Sequence, residues 1–396
     1  MKRILNRLVL VVSIFMSGCA PVIAAQPSSS TPEFPIAVSA STSTLTLTPT
    51  YTPMPTPTAT PIPHPIHAVR IDYGDYTKSR NMVDALEANM RQGGVNMVAL
   101  SAGRADWTYF KWEGHPEAWS SDVQNTGIDF LAEDVARFKA WADHISVVVD
   151  VYASRYVAAH PESAAISADG NPSPYLVSTM QLVEGQLGSD LLQMLDYIAA
   201  NYPVDSIALT ELAYHVDGYG NDDQAAYMAH TGLSDWPRRA NGQVDFEHPS
   251  VGEWRSYEIG RFLEKAAAIA HGHGKQLFMD VDVSWGNLSN EASEYGQNYA
   301  VMLQHADRII VWDYFSLSGY NPEYTGDIAG YLEKYGPDRV ILSVGLWGKN
   351  GSIVSPDQLR LAMQAALGSP IPHLWITPSL YLSDQHWQVM KELWSH

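Results

Sequence analysis

From His67 to the end of the chain, short runs rich in Val, Ile, Leu and aromatic residues alternate with stretches of helical periodicity, and this alternation limits the fold more than any other feature. Parallel strands need a long crossover, usually a helix, so repeated strand–helix units build a parallel sheet with helices on its outside. Eight strand candidates fall at 68–74, 96–102, 145–152, 206–214, 276–284, 308–315, 340–347 and 373–380. Amphipathic helical periods fall at 82–92, 130–143, 186–201, 253–271, 295–305, 326–335, 356–366 and 385–394. Gly93-Gly94, Gly272 with Gly274, and Gly336-Pro337 end three of them, since glycine enters the left-handed turn and proline blocks continuation. Eight units with no second block of a different pattern predict one α/β domain over 67–396, a single (β/α)8 TIM barrel in preference to an open doubly wound sheet.

The preceding residues differ in kind. Residues 20–66 are mostly Ser, Thr and Pro with almost no charge, too poor in apolar surface to offset the entropy of ordering, so they read as a disordered linker. Before them, Lys2, Arg3 and Arg7 precede the apolar run 8–15 and the small-residue segment Met16-Ser17-Gly18-Cys19. Residues 1–19 thus resemble a bacterial lipoprotein signal peptide with its lipobox, Met16 standing where that motif usually carries Leu. The resemblance implies cleavage before Cys19, a lipid on Cys19, and an extracytoplasmic protein whose only membrane contact is that lipid. The apolar run falls short of the roughly 20 residues of a spanning helix.

Composition narrows the chemistry. Cys19 is the one cysteine, which excludes an internal disulfide and a cysteine-based metal site. A net charge of −19 argues against a nucleic-acid partner, because phosphate binding needs clustered Lys and Arg. The sequence has no P-loop, no G-x-S-x-G and no H-E-x-x-H, so no cofactor or metal is expected. Twelve Trp and 21 Tyr leave many flat apolar rings for stacking on sugars, although any single ring is as well explained by packing.

In a barrel the chemistry gathers at the C-terminal strand ends. Strict alternation puts Ile207, Leu209 and Glu211 on one face of the fourth strand, Phe278, Asp280, Asp282 and Ser284 on one face of the fifth, and Ile309, Val311 and Asp313 on one face of the sixth. Gathered acids raise one another's pKa and lose hydration, a structural cost that function usually explains. Two carboxyls suit glycosidic-bond hydrolysis, one protonated to donate to the leaving oxygen, one ionised to act as nucleophile or activate water. The candidate catalytic residues are Glu211, Asp282 and Asp313. Candidate substrate-binding residues at strand ends are Asp72, Tyr73, Tyr152, Arg155, Asp280, Trp285, Tyr314, Trp347 and Trp375. The longest connection, 214–250, reads as a lid or cleft wall.

With Glu211 closing Ser206-Ile-Ala-Leu-Thr-Glu, with the strand Gln276-Leu-Phe-Met-Asp-Val-Asp, and with Val311-Trp-Asp-Tyr, residues 67–396 resemble the glycoside-hydrolase-like barrels of exported bacterial proteins, distantly chitinase-like. The resemblance implies a glycosidase acting on an extracellular polysaccharide or oligosaccharide, Glu211 being the proton donor and Asp282 or Asp313 its partner. The D-x-x-D-x-D-x-E series of chitinases is absent, since Ile207 and Leu209 stand at its spacing. Strand seven, Ser343-Val-Gly-Leu-Trp347, lacks the nucleophile carboxylate of many such barrels. The alternative is therefore a non-catalytic carbohydrate-binding surface lipoprotein.

Overall fold

The computed structural model describes residues 65–73 and 80–394. The signal-like segment with Cys19 and the linker, apart from Pro65 and Ile66, lie outside them. The eight strands are β1 (His67–Ile71), β2 (Met97–Arg104), β3 (His144–Asp150), β4 (Ser206–Thr210), β5 (Gln276–Asp282), β6 (Arg308–Asp313), β7 (Val340–Gly345) and β8 (Leu374–Thr377). Each pairs in parallel with the next, and β8 pairs back onto β1, so the sheet closes. Closure settles what periodicity leaves open: the fold is a single (β/α)8 barrel with its helices outside.

Local chemistry sets the helix ends. Helix Pro356–Leu367 begins with a capping box in which Ser355 Oγ accepts the Gln358 N–H at 3.3 Å and Gln358 Oε1 accepts the Ser355 N–H at 3.0 Å. Asp129 caps helix Phe130–Lys139 by accepting the Ala132 N–H at 2.9 Å. Two insertions carry structure that periodicity did not reveal. An antiparallel pair, Ala164–Ile166 with Pro172–Val177, follows β3, and helix Asn221–Thr231 lies inside the long connection after β4.

The barrel interior is layered. Ala68, Met97, Val148, Ala208, Phe278, Ile310, Ile341 and Trp375 form an apolar floor, all buried. One step toward the C-terminal ends come Arg70, Ser101, Thr210, Asp280, Trp312 and Ser343 on the same inward alternation. On β4 and β6 the inward residues are thus the even-numbered ones. Ile207, Leu209, Ile309 and Val311 belong instead to the core between strands and helices. This corrects the expectation that those four residues lead up an inward face to Glu211 and Asp313. Barrel strands are buried on both sides, so their apolar residues carry no parity signal. Trp375 is likewise corrected: expected at the rim, it is 2% exposed and fills the floor.

Replacing Trp375 with Ala should therefore cost about 3–5 kcal/mol in denaturant unfolding, as for other large-to-small core changes. Trp285→Ala, at a half-buried position outside the floor, should cost clearly less in the same measurement.

Candidate active site

Glu211 directly follows β4, where continued alternation would send it outward with Ile207 and Leu209. Its backbone instead enters the left-handed region at φ +65°, which breaks the alternation. For a residue other than glycine that conformation costs about 1–3 kcal/mol and persists only where the surroundings impose it, most often at functional sites. The redirected carboxyl accepts a hydrogen bond from the Tyr152 phenol and lies within the field of Asp150, at the end of β3, and of Asp282, at the end of β5. Three consecutive strands therefore deliver one carboxyl each to one mouth.

Beneath them Arg70 rises from β1. Its guanidinium meets Asp72 at 3.1 Å, donates to Ser101 Oγ at 3.2 Å, and reaches Asp280 at 3.9 Å. Burial disfavours its charge, but Asp72 and Asp280 outweigh that and hold the guanidinium more firmly protonated than usual. The carboxyls are pushed the other way. Burial first, then Asp150, raises Glu211 to about 8, against the pull of Tyr152 and Arg70. Burial, then Glu294 and Asp280, raises Asp282 to about 7. Asp150 rises less, to about 6, because the Tyr152 N–H, at 2.8 Å from its Oδ1, Arg104 and Arg70 all favour its anion. At neutral pH the mouth thus holds a protonated Glu211 beside a largely ionised Asp150 and a partly ionised Asp282, a spread of protonation states that acid–base catalysis can use.

The other candidates divide. Asp72, Tyr73, Tyr152 and Tyr314 line the same mouth, all half-buried, and the charges acting on the Tyr314 phenol come from Asp280, Arg70, Glu211 and Asp282. Asp280 is 4% exposed and one layer lower, a supporting position against Arg70. Asp313 is not brought to the site: it follows the outward face of β6, is fully buried, and accepts a hydrogen bond from Thr325 in helix Tyr324–Leu332. Burial raises it to about 7, and none of the mouth carboxyls contributes. Arg155 is also placed elsewhere. Its backbone N–H binds Asp106 at 2.7 Å, and its side chain lines a separate hollow of about 210 Å³ with His115, His160 and Asp190.

The rim aromatics form groups. Tyr73 packs on Tyr109 and Trp107, Trp285 on Tyr320 and Tyr324, and Trp347 on Tyr314 at 5.1 Å between centroids. Gly345 explains why β7 brings no acid: a Cβ there would meet the Tyr314 ring at 2.3 Å. Sequence reasoning missed Arg70 and Asp150, both of which inward alternation from Ala68 and Val148 identifies. It also missed Tyr175, whose ring lies 4.6 Å from that of Tyr152 and which sits in an insertion without a periodic signal. Among the described residues no group of three or more His, Cys, Asp or Glu side chains is arranged to hold a metal ion.

No family model matches the sequence, and no curated protein does. Solved structures are similar in fold. The glycoside hydrolase domain of PgaB (BpsB) from Bordetella bronchiseptica superposes with a TM-score of 0.65 at 14% identity, over 83% of this chain and 99% of that one. A β-galactosidase from the psychrophilic Marinomonas ef1 gives 0.62 at 10% identity, over 83% of this chain and 59% of that one. The catalytic domain of a β-amylase from Paenibacillus polymyxa gives 0.58 at 10% identity, over 83% and 97%. The barrel is glycoside-hydrolase-like in its fold.

The raised Glu211 carboxyl has a consequence for stability. Between its ordinary value of 4.5 and about 8 the folded chain keeps a proton that the unfolded chain has released, so stability falls as pH rises through that window. Glu211→Gln removes this loss. The variant should match the wild type near pH 4 and exceed it by about 2–4 kcal/mol near pH 9 in denaturant unfolding.

Proposed function

We propose that the chain is a glycosidase in which Glu211 donates the proton to the leaving oxygen and Asp282 is the carboxylate partner. The observation that carries this reading is the left-handed backbone at Glu211, which spends conformational energy to bring a protonated carboxyl beside two others at a barrel mouth. In the reaction the bond between the anomeric carbon and the leaving oxygen breaks and that oxygen takes the Glu211 proton, while the ionised Asp282 either bonds to the anomeric carbon, forming an ester that water then hydrolyses, or takes a proton from a water whose oxygen bonds to that carbon. Asp150 keeps Glu211 protonated through its charge, while its Oδ1 is engaged with the Tyr152 N–H. Tyr73, Tyr152, Tyr314, Trp285 and Trp347 are the sugar-facing surfaces in this reading. The fold of the similar structures, a glycoside hydrolase domain, a β-galactosidase and a β-amylase, supports the reaction class.

The site's substrate is an oligosaccharide or polysaccharide outside the cytoplasm. A lipid on Cys19 would hold the protein at the membrane, and the Thr/Pro-rich linker would let the barrel reach a polymer beyond it. A second reading, carbohydrate binding without hydrolysis, is favoured by Gly345, which leaves strand seven without a carboxylate.

Release of reducing ends by the purified full chain, across bacterial, plant and fungal polysaccharides, separates the two. Hydrolysis should fall by about 10²–10⁴-fold in Glu211→Gln and in Asp282→Asn with binding retained, while Asp313→Asn keeps most of its activity. Binding without release from any polymer would favour the second reading. For a hydrolysed polymer, kcat/KM should rise as Asp282 ionises near pH 7 and fall as Glu211 loses its proton near pH 8.

A further inference from the structure

Glu211 and Asp282 stand on neighbouring strands, yet the sheet does not hold them together. The pairing of β4 with β5 runs from Ser206↔Gln276 to Leu209↔Met279 and stops there, short of both acids. One side chain spans the gap. Gln297 lies between helices Glu291–Tyr295 and Tyr299–His305 and is 1% exposed. Its Nε2 donates to the carbonyl of Leu212, the residue after Glu211, at 2.9 Å. Its Oε1 accepts the N–H of Asp282 at 2.8 Å. The carbonyl of Asp282 in turn accepts from the Tyr299 hydroxyl. The same segment touches the β4 exit again where the Glu294 carbonyl lies 3.0 Å from His215 Nδ1.

We infer that Gln297 is a positioning residue that sets the separation of Glu211 and Asp282 by bridging the two backbones; the inference rests on the glycosidase reading for its kinetic consequence. The chemistry of the bridge is restrictive. It needs one donor and one acceptor on a single planar group of fixed reach, which a carboxamide supplies and an ionised carboxylate does not. Methionine fills a similar volume but leaves the Leu212 carbonyl and the Asp282 N–H without this partner. A protonated Glu in its place regains a donor, its O–H, and keeps an acceptor.

The test uses the full chain and the polysaccharide that the wild type hydrolyses. Gln297→Met should lower kcat by up to about 10²-fold with KM nearly unchanged, the scale expected when reacting groups are misplaced by about 1 Å. Gln297→Glu should approach wild-type kcat at pH 5 and lose it progressively toward pH 8 as the new carboxyl ionises and its donor is lost. A residue with only a structural role would lower thermal stability in both variants but leave kcat and the shape of the pH profile of the folded enzyme as in the wild type, and that result overturns the inference. A second readout is independent of turnover. In carboxyl-labelled NMR titrations of the wild type and the Met variant, both checked for fold by circular dichroism, the midpoints of Glu211 and Asp282 should shift by about one pH unit as their coupling changes. Unchanged midpoints overturn the bridge even if the wild type hydrolyses nothing, whereas shifted midpoints without hydrolysis sustain the bridge and defeat the glycosidase reading.

Discussion

The ion pairs of Arg70 hold the mouth of this barrel together. Four of the five carboxyls gathered there, Asp72, Asp150, Glu211 and Asp280, lie within the field of that guanidinium. Without a cation beneath them, so many acids would stay neutral or push the strand ends apart, because each desolvated charge raises the next one's pKa. Arg70 contacts Asp72 and Asp280 directly and reaches Asp150 and Glu211 only through the field. In its direct partners, Asp72 and Asp280, it opposes the upward push of burial without cancelling it, and the upper carboxyls are left to differ. Tyr152 accentuates that difference by giving its backbone N–H to Asp150 and its phenol to Glu211.

Much of the barrel, though not the Arg70 network, was legible in the residues. Strands and helices were placed to within a few positions, because turn glycines, prolines and helical periods punctuate the chain at every unit. Glu211 was found as well, but by an argument that the structure revises. Ile207 and Leu209 face the helices, and Glu211 reaches the mouth only because its φ is positive, which a residue type that rarely adopts that conformation does not announce. Asp313 shows the other side of the same limit: identical spacing on β6, with the ordinary extended path retained, sends the carboxyl to Thr325. Asp282 was placed on an inward face because Phe278 and Asp280 stand on the same alternation, and the structure has that alternation. Gln297 carried no signal at all, since its importance arises from two backbone groups distant in sequence.

The strand ends also explain which chemistry the barrel leaves out. At the end of β7 the Tyr314 ring occupies the space where any side chain would begin, so glycine is required at position 345 and the aromatic surface extends toward Trp347 instead. Asp150, Glu211 and Asp282 stand at the ends of β3 to β5, with Tyr152, Tyr175 and Trp285 among them, and β6 and β7 bring the rings of Tyr314 and Trp347. On the glycosidase reading, a sugar chain lying across such a mouth would meet ionisable groups and flat apolar rings side by side.

The floor of the barrel sets the direction of traffic. Trp375 and Phe278, with the small residues around them, make the interior a cup and not a tube. On the glycosidase reading, water, substrate and both fragments of a cleaved chain would share one doorway. On that reading a polymer could not be threaded through the strands and drawn out behind; it would lie across the opening or present an end to it, and each turnover would end by clearing the same rim through which it began.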